Sequence, residues 1–75
     1  MNMTILDAYG LSTEKKIRLL RTFQTDHFIR ADNNVPPDWS TRVTFDSQIE
    51  KEVVDLLIKN GCGIQMVGHE ERKEN

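Results

Sequence analysis

Six segments in the order strand, helix, strand, strand, helix, strand predict an α+β fold: a four-stranded antiparallel sheet with two helices on one face. Three observations carry this. Residues 45–61 read as a capped amphipathic helix, residues 12–24 as a second one, and four short runs rich in β-branched and alternating residues flank them. This order is the split βαβ, ferredoxin-like arrangement. A mostly α, helix-turn-helix-like domain is the alternative, and it requires residues 25–31 to be helical.

The helix after Phe45 has the clearest pattern. Ser47 and Glu50 have the S-x-x-E spacing of a capping box, in which hydroxyl and carboxylate satisfy amide groups reciprocally. Ile49, Val53, Leu56 and Leu57 follow one helical face, Lys59 sits in the last turn, and Gly61 suits a left-handed closing residue.

From the start of the chain, Met3-Thr4-Ile5-Leu6 reads as a strand ended by Asp7-Ala8-Tyr9-Gly10. Ser12 or Thr13 then caps a helix running to about Gln24. Ile17, Leu19, Leu20 and Phe23 are expected inward, and Lys15, Lys16, Arg18 and Arg21 toward water. His27 to Ala31 reads as a strand, because Thr22, Thr25 and the turn-forming Asp32-Asn33-Asn34 disfavour helix there. Asp32 to Thr41 is a loop, since Pro36-Pro37 excludes both helix interior and ladder hydrogen bonds. Arg42-Val43-Thr44-Phe45 alternates with period two, and Cys62 to Gly68 is the last strand. Residues 1–68 form one small domain, and residues 69–75 are expected to be a charged, disordered tail.

A chain of 75 residues buries only roughly 60% of its unfolded surface. With 37% hydrophobic and 29% charged residues and a net charge of -2, it is globular and weakly unsuited to binding nucleic acid by bulk charge. Its single cysteine makes no internal disulfide. It has no run of about 18 apolar residues and no basic-then-apolar leader. The expectation is a cytoplasmic protein without membrane contact.

No motif calls for catalysis. Cys62 and the two histidines, His27 and His69, lack metal-ligand spacing, so neither a metal site nor any cofactor is expected. Cys62 lies in Gly-Cys-Gly, where a small residue fits a helix-to-strand junction better than a nucleophile. Asp46 with Glu50, and Glu52 with Asp55, read as a cap and a solvated face, and no phosphate-binding glycine loop is present. The segment Asp7-Ala8-Tyr9-Gly10-Leu11 resembles the D-x-x-G-L turn of ACT domains in three letters. That resemblance implies a ferredoxin-like module binding an amino acid at this loop. An ordinary turn with Gly10 left-handed accounts for the same letters and is preferred.

Binding surfaces remain. If Ile5, Ile29, Val43, Phe45, Ile64 and Met66 face the helices, then Thr4, Leu6, Phe28, Arg30, Arg42, Thr44 and Gln65 face away. Phe28 between two arginines suggests a contact surface, and Trp39 in its proline-stiffened loop suggests an interface anchor or a cover for the core. The basic helix face of Lys15, Lys16, Arg18 and Arg21 offers a nucleic-acid alternative, with a solvated face beside the acidic second helix as the plainer account. The expected function is therefore a non-enzymatic regulator or inhibitor. It acts by protein–protein contact through Trp39, Phe28, Arg30 and Arg42, in the manner of phage or mobile-element accessory proteins. A homodimer through the edge strand at residues 63–67 is open.

Overall fold

The computed structural model describes residues 1–33 and 40–72. Its elements are β1 (Asn2–Tyr9), α1 (Thr13–Leu20) with a 3-10 turn at Arg21–Phe23, β2 (Ile29–Asn33), and β3 (Thr41–Asp46). A second 3-10 turn at Ser47–Ile49 leads into α2 (Glu50–Lys59), followed by β4 (Gly63–Glu71). The sheet order is β2-β3-β1-β4 with every pair antiparallel. The fold is ferredoxin-like. The mostly α alternative fails because the helical path stops at Phe23 and residues 29–33 pair with β3. Trp39 and the diproline loop lie outside the described residues, as do residues 73–75.

Local chemistry explains the helix ends. Ser12 caps α1, its hydroxyl accepting from the Lys15 N–H at 3.3 Å. At the end of α2, Gly61 N–H donates to the Ile58 carbonyl at 3.0 Å and Cys62 N–H to that of Leu57 at 2.9 Å, with Gly61 at φ 92°. This is a Schellman closure, which needs the left-handed residue. Gly10 has φ 106°, and a Cβ there would meet the Gly61 carbonyl oxygen at 3.1 Å. The turn reading of residues 7–11 accounts for this glycine on geometry alone.

The core lies between the sheet and the helices. Leu6 and Ala8 from β1, Ile29 from β2 and Val43 and Phe45 from β3 meet Leu20, Ile49, Val53, Leu57 and Cys62. Burying each large side chain contributes about 1.5–3 kcal/mol.

Four expectations are corrected. In β1 the facing is reversed: Thr4, Leu6 and Ala8 point at the helices, and Ile5 points away with Met3, Asp7 and Tyr9. The polar Thr4 belongs inside because α2 supplies its hydroxyl with partners. The capping box is replaced, since Asp46 caps the turn by accepting from Gln48 N–H at 3.0 Å. Lys16 does not face water; it is fully buried, four residues before Leu20, and its Nζ donates to the Ala8 carbonyl at 2.9 Å. Finally, β4 runs on through His69, Glu70 and Glu71, which pair with Thr4, Met3 and Asn2.

Lys16→Ala should therefore lower stability by about 1–3 kcal/mol, against no more than about 0.5 kcal/mol for the exposed neighbour Lys15→Ala. Urea denaturation of the two variants measures the difference.

Candidate functional site

The face of the sheet away from the helices is built in cross-strand rows. Asp32, Arg42, Asp7 and Gln65 form one row, and Arg30, Thr44, Ile5 and Gly68 the next. Phe28, Arg30 and Arg42 share this face, but none of them is idle. Arg42 grips Asp7 through two bonds, Nε to Oδ1 at 3.0 Å and Nη2 to Oδ2 at 3.1 Å. The hydrogen bond and charge of Asp7 raise the Arg42 pKa above its ordinary value. Arg30 Nε donates to Asp32 Oδ1 at 3.1 Å, and Tyr9 Oη donates to Gln65 at 3.0 Å. The Arg72 guanidinium lies over the Phe28 ring at 5.4 Å, using the aromatic face a stacked base would need.

The basic set on α1 and the turn after it is divided. Lys16 is buried, Arg18 pairs with Glu14 at 3.2 Å, and Lys15 and Arg21 are exposed. Cys62 is buried in the core cluster, whereas His27 approaches Asp46 at 3.7 Å. Among the described residues no group of three or more His, Cys, Asp or Glu could hold a metal, and no helix is long and apolar enough to cross a membrane.

The edge strand that the sequence offered at residues 63–67 is β4, and what sequence reasoning missed is the helix flank beside it. β4 bonds to β1 on one side and is an outer strand of the sheet. Its register slips beside β1: Met66 lies opposite Leu6 and Gly68 opposite Ile5, which leaves Val67 as the extra residue of a bulge. Because Leu6 faces the helices, Met66 and Ile64 lie on that side too. Met66 and Val67 are 45% and 46% exposed. Beside them runs a row on α2, Glu50, Val54 and Ile58, spaced by four residues along one flank. Exposure rises outward along that row, from half-buried Glu50 and Val54 to Ile58 at 56%. The apolar stripe read from the sequence, Ile49, Val53, Leu56 and Leu57, omitted this second row, which makes α2 apolar beyond the width its own sheet covers.

A polar joint holds the flank to the strand. Thr4 Oγ1 donates to Glu50 Oε1 at 2.7 Å and lies 2.7 Å from Ser47 Oγ; His69 Nε2 meets the same Glu50 oxygen at 2.8 Å. Ser47 and Glu50, the two capping-box letters, thus converge on the inner face of β1. The Thr4 hydroxyl first, then His69, lower the Glu50 pKa, with burial opposing. The carboxylate sits between hydroxyl and imidazole, so no nucleophile–base pair of the hydrolytic kind is formed.

A depressed carboxylate pKa adds stability that is present above the unfolded-state value and is lost as pH falls through the folded-state value. The stability gap between the wild type and Glu50→Gln should be widest above the ordinary glutamate pKa of 4.5. It should narrow as the solution is acidified below that value. Urea midpoints across that range test the sign, and a gap that widens in acid would reverse it.

No family model matches the chain, nor does any curated protein or solved structure compared with it, so a functional reading rests on this geometry.

Proposed function

We propose that this protein is a non-enzymatic protein-binding module, regulatory or inhibitory in role, and that it works through the β4 edge and the adjoining flank of α2. One observation carries the reading: an outer strand with Met66 and Val67 exposed lies beside a helix flank with Ile58 exposed. Apolar patches of roughly 300–600 Å² on a monomer are often functional, and an unpaired strand edge adds a row of main-chain donors and acceptors.

The proposed contact differs from that expected from sequence. Arg42 and Arg30 already hold carboxylates and Phe28 already holds Arg72, so recruiting them would first break those bonds. The nucleic-acid alternative loses support because Lys16 is buried, which withdraws one of the four cations that reading requires, and Arg18 lies beside Glu14.

Affinity capture from the cell of origin should retain a specific protein with the wild type and lose it with Met66→Lys plus Ile58→Lys. Both sites are exposed, so the unfolding free energy from urea titration should stay within about 0.5 kcal/mol of the wild type. Unchanged capture by the double variant, or loss caused instead by Arg30→Ala and Arg42→Ala, rejects this surface.

A further inference from the structure

The β4 edge is not uniform along its length, and its two components change character together. On the helix side β4 presents Ile64, Met66, His69 and Glu71 in that order, by its register with Ala8, Leu6, Thr4 and Asn2. The α2 flank presents Ile58, Val54 and Glu50, and two contacts set it antiparallel to β4. Glu50 meets His69 at 2.8 Å, while the Leu57 carbonyl accepts from Cys62 N–H at 2.9 Å, just before β4 begins. Ile58 therefore belongs to the Ile64 end and Glu50 to the Glu71 end. One half of the edge is apolar on both strand and helix, and the other half carries carboxylates on both. Glu70 pairs with Arg72, whereas Glu71 makes no ion pair with a described residue.

We propose that the occupant of this edge is an extended segment of another protein. It adds antiparallel to β4 as a fifth strand, with cationic side chains first and β-branched apolar ones after them. The inference rests on the protein-binding reading above and specifies its partner. Main-chain bonds to the outer row of β4 supply affinity, and the alternation of side chains supplies specificity. Running antiparallel, the segment meets Glu71 first, then His69 beside Glu50, then Met66 and Ile64. With Val67 left out of the new ladder, as it is left out of the ladder with β1, cations and apolar residues would both fall at every second position of the incoming strand.

A second copy of this chain suits the edge less well. An antiparallel pair of β4 strands centred on Met66 would bring the bulged Val67 of each copy together near the axis. It would also set Glu70 and Glu71 opposite residues 61–63, Gly-Cys-Gly, where no cation stands. A parallel pair in register stacks Glu71 on Glu71, a like-charge contact.

The test uses the full chain, isotope-labelled, and three capped synthetic peptides. The first is Lys-Thr-Lys-Thr-Val-Thr-Val, the second its charge reversal Glu-Thr-Glu-Thr-Val-Thr-Val, and the third the reversed order Val-Thr-Val-Thr-Lys-Thr-Lys. The first should bind with amide shifts and slowed hydrogen exchange confined to residues 63–71. The other two should bind about tenfold more weakly or not at all, Glu71→Lys should cost the first peptide about tenfold, and Met66→Lys should abolish its binding. Equal binding of the three peptides, shifts on the Arg30–Arg42 face, or no binding of the first peptide overturns the proposal. Concentration-dependent β4 shifts without peptide would likewise overturn it and assign the edge to a second copy. Lost cellular capture by the Met66 and Ile58 double variant, together with equal binding of the peptides, would overturn the strand chemistry alone. Unchanged capture would overturn the protein-binding reading beneath it.

Discussion

One hydroxyl on the helix-facing side of an inner strand sets how the rest of the molecule is joined. Thr4 lies in β1, one of the two inner strands, and its Oγ1 reaches Ser47 in the turn before α2 and Glu50 at its first residue. Glu50 passes the contact on to His69 in β4. An inner strand, the entry of the second helix and the outer strand thus meet at one polar point. Every buried side-chain nitrogen or oxygen among the described residues has a hydrogen-bond partner, which is the condition under which such polar groups can be buried without a large desolvation cost.

That joint also shows how far the sequence could be read. Element types and their order were legible, because apolar periodicity, Ser12 and Gly61 depend on local chemistry. Ser47 and Glu50 were legible as a pair by spacing, yet their partner lies more than forty residues away and no local rule names it. Once Asp46 had taken the cap, both side chains were available to Thr4. The facing of β1 turned on the same contact: a four-residue apolar run does not set its own parity, and a threonine on the inner face reversed the expected one.

Charge was read least well. Lys16 has the helical position of a core residue, four before Leu20 and seven before Phe23, and only its head group suggested solvent. The long apolar stem packs inward and the ammonium ends on the Ala8 carbonyl. Likewise His69 to Glu71 looked like a solvated run because β-ladder bonding takes no account of the charge carried outward. The row of half-buried Val54 and exposed Ile58 was visible in the sequence but lay beside a stronger stripe. Trp39, the residue most expected to anchor a partner, lies outside the described residues.

Met1 and Arg72 close a pair of backbone bonds, amino group to carbonyl and N–H to carbonyl, each at 2.8 Å. The two ends of the described chain therefore leave from one corner, the corner where Glu71 and Phe28 also lie. A fluorophore, surface tether or fused domain attached before Met1 would stand beside the carboxylate half of β4 and clear of Ile58 and Ile64. Immobilisation through that corner would crowd one half of the edge and leave the other open, so the point of attachment is itself a variable in how the edge presents to other molecules.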